Sequence, residues 1–198
     1  RFSPWREPRT LAIGVMVLAF ALSEGAASDW LSLALIDGYD VRHWVGVAGF
    51  AVFVCSMMVG RLCGPALLDR YGRAPMLWSS TAAAFVGIVL IVFGGHLVLV
   101  GLGIITWGLG ASLGFPVGMS AAADDPVRAA RRVSVVSTIG YGAFLAGPPL
   151  LGLLADHVGT LETLLVIAAL MLPAAMTVLA ARERRASVNH TLDAHPRR

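Results

Sequence analysis

The chain has 198 residues, 57% of them hydrophobic and 14% charged, with a mean hydropathy of +0.77. So small a polar fraction cannot cover a water-soluble globule of this size, which leaves the membrane class. The formal charge of +3 comes from arginine without any lysine, and the arginines gather between alternate apolar stretches, a pattern that anchors loops beside anionic lipid and argues against a nucleic-acid surface.

Six stretches are long enough to cross a hydrocarbon core of ~30 Å as helices, which takes about 20 residues. The first runs from Leu11 to Ile36. Arg6, Arg9, Leu11 to Leu22 and Ala26-Ala27-Ser28 imitate a secretory leader. The apolar run nevertheless continues through Trp30 to Ile36, so a span in a protein clipped before Arg1 is the preferred reading. A rise of ~1.5 Å per residue from Leu11 puts Glu24 about 20 Å into the bilayer. A central charge costs roughly 3 kcal/mol on insertion scales, so such a carboxylate faces a cavity, a partner or a proton path. Glu24 is expected to couple protons or bind substrate, the alternative being a structural acid bonded to a neighbouring helix. Asp29 lies about 140° around the helix and ~27 Å deep. It shares a face with Glu24 only if the helix unwinds near Gly25, and otherwise suits a solvated outer gate with Trp30 as an interfacial anchor.

The second stretch, His43 to Leu68, carries Cys55 and Cys63, too far apart on a helix to bridge. The third is Pro75 to Gly94. In the fourth, Leu97 to Ala121, Gly110, Gly114 and Gly118 recur at helical spacing between Thr106 and Ala122, a close-packing stripe that could also let a neighbour slide. Phe115-Pro116 is expected to kink this span, and Trp107 and Tyr141 could line a cavity. Asp125 before Pro126 reads as the N-cap of the fifth stretch, Val133 to Ala155. There Gly147-Pro148-Pro149 interrupts the backbone ladder and is expected to act as a hinge. The sixth stretch is Thr160 to Ala180, and the tail from Ala186 is polar.

Placing Arg1, Arg6 and Arg9 in the cytoplasm also places Arg70, Arg73, Arg128, Arg131, Arg132, Arg182, Arg184 and Arg185 there. Asp37, Asp40, Asp156 and Glu162 then face outward with Arg42, so the positive-inside rule predicts six spans with both termini cytoplasmic in the cell membrane. The fold class is all-α and polytopic. Superposing the second span on the fifth aligns Gly60 with Gly147, Asp69 with Asp156 and Gly72 with Gly159, as expected of two three-helix units of inverted topology. The predicted organisation is a cytoplasmic segment 1–9, a bundle 10–181 made of repeats 10–94 and 95–181, and a cytoplasmic tail 182–198.

Gly60-Arg61-Leu62-Cys63-Gly64 followed by Asp69-Arg70-Tyr71-Gly72-Arg73 resembles the signature loop of the major facilitator superfamily. With Glu24 to Trp30, Gly140-Tyr141-Gly142 and Gly147 to Gly152, the chain from about residue 10 to 185 is similar to the C-terminal half, spans seven to twelve, of its bacterial sugar-permease-like and drug-efflux-like branch. Pro65 stands where that branch usually has Asp, so Arg61 must pair elsewhere or snorkel. A gating role is therefore safer at Asp69 and Arg70 than at Arg61. The resemblance implies alternating access of a small-molecule substrate, driven by protons, between this bundle and an N-terminal six-helix half or a second copy, with the 69–73 loop locking one state through the other half. It implies no cofactor.

Enzyme signatures are absent: there is no Gly-x-Ser-x-Gly, no His-Glu-x-x-His and no P-loop lysine. His43, His96 and His157 are too scattered for a metal site, and Ser120 and His96 fall at opposite ends of their span, which excludes a serine protease pairing. The competing class is a stand-alone six-helix protein that forms a homo-oligomeric channel, regulates a transporter or is an inactive fragment.

Overall fold

The computed structural model describes residues 3–182; the termini that hold Arg1, Arg184, Arg185 and most of the predicted tail lie outside the described residues. After a short 3-10 turn at Pro4–Arg6, six helices follow: α1 Pro8–Tyr39, α2 His43–Tyr71, α3 Arg73–Phe93, α4 Leu97–Ala122, α5 Ala129–Val158 and α6 Thr160–Thr177, the last continued by a 3-10 turn at Val178–Ala181. All six are apolar and long enough to cross a membrane. A helix satisfies its own backbone polar groups, which a lipid-exposed segment must do.

The connections are short because the residues that end the helices also turn the chain. Gly72 and Gly159 take the same left-side conformation (φ 83°, ψ 167° and φ 99°, ψ 154°), and each donates its N–H to the carbonyl four residues back, Leu68 at 2.8 Å and Ala155 at 2.9 Å. Only glycine holds such dihedrals without strain. The helix pairs α2–α3 and α5–α6 are thus joined through glycines of the same conformation.

Helix α1 lies at the centre, against α2, α4, α5 and α6, while α3 fills the space between α4 and α6. Because lipid tails are as apolar as leucine, association rests on close packing and interhelical hydrogen bonds. A Cβ on Gly87 of α3 would lie 2.5 Å from the Trp107 amide nitrogen and 2.6 Å from the Gly103 carbonyl oxygen of α4, so these two backbones touch. The predicted glycine stripe of α4 divides between two neighbours: Gly110 abuts Ala84 and Ser80 of α3, whereas Gly114 and Gly118 lie under Phe20 and Val17 of α1. It seats α4 in a wedge and offers no single surface for sliding. Hydrogen bonds from Ser32 to the Gly46 carbonyl (3.0 Å), from Tyr39 to the Ile91 carbonyl and from Trp78 to the Ala175 carbonyl (3.0 Å) tie α1 to α2, α1 to α3 and α3 to α6.

Two local expectations are corrected. Helix α1 runs unbroken through Gly25, which is buried against the Phe144 ring, so the predicted alternative of an unwound segment does not occur. Helices α4 and α5 continue through Pro116 and through Pro148 and Pro149, each proline leaving the carbonyl four residues earlier without its helical donor. Asp125 does not cap α5: its Oδ1 accepts from the Val127 amide at 3.1 Å, closing a separate turn, and α5 begins later, at Ala129, with Arg128 at the cap. Pro126 permits the turn, which uses the carboxylate before the helix starts.

Candidate functional site

The central part of α1 presents Glu24 toward α2. Nη2 of Arg61 donates to both carboxylate oxygens, at 3.1 Å and 2.9 Å, with the Glu24 side chain 21% and the Arg61 side chain 43% exposed. Arg61 therefore pairs across helices. Pro65 supplies no carboxylate one turn away, and its missing N–H also leaves the Arg61 carbonyl without its helical donor.

A second proline prepares the other contact of Arg61. Pro116 has no N–H to offer the carbonyl four residues earlier, that of Ser112. That oxygen accepts from Arg61 Nε at 3.4 Å. Gly60 lets α2 come close enough, since any Cβ there would strike the Ser112 side chain. On the other flank Ser23, next to Glu24, accepts from Trp107 Nε1 at 2.7 Å in a fully buried setting, and Phe53 packs edge-on against the indole at 5.1 Å. Trp107 is thus enclosed and positions α1, in contrast to the expectation that it lines a cavity.

Beyond Arg61, toward the arginine-rich end of the bundle, a cavity of about 620 Å³ opens between α2 and α4. Its wall combines Arg61, Asp69, Arg73 and Ser120 with Pro65, Leu68, Leu113, Phe115, Pro116 and Val117. Phe115 links this wall to α5, its ring 6.3 Å from that of Tyr141 and 6.4 Å from that of Phe144. Tyr141 is 65% exposed.

Two other predicted residues lie apart from this group. Asp29 is exposed on a different face of the unbroken α1. Trp30 packs toward Gly152 of α5, with its indole N–H buried and unpartnered among the described residues. Gly147 is buried against Leu22, while Pro149 is exposed on α5.

The loop of the predicted gate divides as well. Arg73 is held inside this chain, its Nη1 2.7 Å from Asp124 Oδ1 and its Nη2 donating to Ser120 Oγ at 3.1 Å. Asp124 also binds Arg9 at 2.9 Å, and Arg9 Nε donates to the Ala180 carbonyl at 2.9 Å, so the beginnings of α1 and α3 and the end of α6 meet. Asp69 and Arg70 remain exposed, the Arg70 guanidinium 5.3 Å from the Tyr71 ring centre. Close by, the buried Arg132 of α5 donates to both oxygens of Glu7, at 2.8 and 2.5 Å, with Asp125 at 3.6 Å. Burial pushes the Glu7 carboxyl up, but hydrogen bonds from Arg132 and Thr10 and the charges of Arg132 and Arg128 outweigh it and hold the group below its ordinary value. This network escaped the sequence reading. Its one visible trace was the concentration of Arg9, Arg73, Arg132 and the Asp124-Asp125 pair in loops assigned to one side.

Six long apolar helices around a mid-span ion pair define a multi-pass α-helical membrane protein. Residues 50–197 match the family model of the Major Facilitator Superfamily, and the chain belongs to that superfamily. It is similar to the uncharacterized transporter y4wD of Sinorhizobium fredii (36% identical over 145 residues, 73% of this chain and 38% of the relative). It is also similar to the membrane protein MosC of Rhizobium meliloti (30% over 165 residues, 83% and 40%) and to an uncharacterized MFS-type transporter of Yersinia pestis (30% over 145 residues, 73% and 38%). The chain spans about two fifths of the length of these relatives.

Proposed function

We propose that this chain is the C-terminal six-helix half, built of two inverted three-helix repeats, of a secondary transporter in the cell membrane. Both ends face the cytoplasm, and the transporter carries a small solute by alternating access, coupled to protons through Glu24. The observation that carries this reading is the Glu24–Arg61 pair at the edge of a cavity. A carboxylate at that depth needs a cation, and a proton that neutralises it frees the cation for something else. Rocking against a six-helix partner half would expose the pair to each side in turn. Asp69 and Arg70, the exposed charges of the α2–α3 loop, would contact that half, with Arg73 serving this chain's own closure. Gly147, Pro148 and Pro149 supply a flexible stretch of α5, and Phe115 and Tyr141 a surface for the solute.

The test is transport by the intact protein in proteoliposomes, after a panel of labelled solutes has shown which one it accumulates. Glu24→Gln is expected to abolish accumulation driven by a pH gradient while leaving exchange of the same solute across the membrane. Unaltered accumulation would remove Glu24 from the mechanism, and flux that grows linearly with gradient, without saturation, would replace the transporter by a pore.

A further inference from the structure

The cavity beside Arg61 has two chemistries. Leu113, Phe115, Pro116 and Val117 form an apolar wall, and two cations border it, Arg61 and Arg73. Arg73 is committed to Asp124 and Ser120 near the helix ends. Arg61 spends Nε on the Ser112 carbonyl and Nη2 on Glu24, whereas no partner to its Nη1 is found among the described residues. Its counter-ion thus sits on another helix, where one proton can cancel it. The volume of about 620 Å³ falls in the range of small-molecule sites.

We infer that the transported solute is an amphiphilic organic anion, whose carboxylate or equivalent oxyanion replaces Glu24 on Arg61 as Glu24 takes a proton from water, and whose apolar body lies on the α4 wall. The inference rests on the transport reading given above. It follows from charge conservation at an ion pair set within two apolar spans. Anion binding beside an ionised Glu24 brings two like charges together, and protonation of Glu24 alone strands the Arg61 cation; each half-step is costly, while the two together leave the net charge unchanged. Among the described residues, no other cation faces Glu24 from the elements around it. Helix α4 carries no charged residue, and α5 carries them only near its ends, at Arg131, Arg132, Asp156 and His157. Asp29 on α1 lies on another face, and Asp69 stands two helical turns from Arg61 toward the arginine-rich end.

The test measures binding of naphthalene-2-carboxylate and octanoate, each against its own uncharged amide, to the intact protein in weakly buffered detergent with a pH dye. At least one carboxylate is expected to bind ~10-fold or more tightly than its amide, as a charge-assisted hydrogen bond allows, with about one proton taken up per anion. Arg61→Gln should erase the preference, Arg61→Lys should retain much of it, and Glu24→Gln should bind the anion without taking up a proton. No carboxylate preference in either pair, or a preference that survives Arg61→Gln, would overturn the inference. Glu24-dependent accumulation of a neutral or cationic solute would overturn the solute class and leave the coupling intact, whereas anion binding without proton uptake in the wild type would overturn both.

Discussion

Glu24 and Glu7 are both carboxylates held by a single arginine, yet they sit in settings of opposite consequence. Glu7 lies before the first turn of α1 and binds the buried Arg132, so its ionised form stabilises the fold. Because its folded value lies below the ordinary 4.5, the stabilisation is complete above that pH and is lost as pH falls through the depressed value. The thermal stability of the intact protein in detergent should therefore fall on acidification below pH 4.5. Glu7→Gln should lower stability by about 2 to 3 kcal/mol at neutral pH, less than a fully orphaned buried charge costs because Asp125 remains near Arg132, and should flatten the acid dependence. An unchanged acid limb in Glu7→Gln would assign it to other groups. Glu24 was legible in the sequence as a carboxylate too deep to be incidental. Its partner was not, because Arg61 meets it through the packing of α1 on α2, and the residue that would have paired Arg61 within α2 is Pro65. Trp107 was legible as a special residue with the wrong orientation: helical periodicity does not tell which face of α4 meets α1.

At the scale of elements, the spans emerged within a few residues because apolar length alone defines them, and in lipid a long apolar stretch has one stable conformation. The same logic explains the error at Asp125, where the rule for a cap before proline was satisfied by a turn that precedes the helix. The contact between α3 and α4 was less legible, since Gly87 and Gly103 stand outside the regular stripe at Gly110, Gly114 and Gly118. Their backbones touch, so Gly87→Val puts atoms where the Trp107 amide and Gly103 carbonyl already are. The expected loss is roughly 2 kcal/mol or more, by the cost of overpacking a tight interior, measured as a lower midpoint in denaturing detergent. A midpoint unchanged from wild type would mean that α3 and α4 pack more loosely than this geometry.

For the whole molecule, the helices differ in what they leave open. Helices α1 and α4 are mostly enclosed, whereas α2 and α5 expose large apolar side chains, among them Trp44, Met58 and Leu62 on α2 and Leu145, Leu150 and Leu153 on α5. Such faces suit lipid or a second bundle equally in composition, and the relatives are about twice as long as this chain. Under the proposed architecture the pair on α1 and α2 and the cavity between α2 and α4 would stand at the junction of two halves, where small rotations of rigid bundles alter access most. The most direct test of this account records proton movement and solute uptake together in cells that express the intact protein, wild type against Glu24→Gln. If Glu24 carries the coupling, the external medium turns alkaline in step with uptake in the wild type, and Glu24→Gln exchanges solute with no proton movement. The same alkalinisation per solute in Glu24→Gln would contradict it.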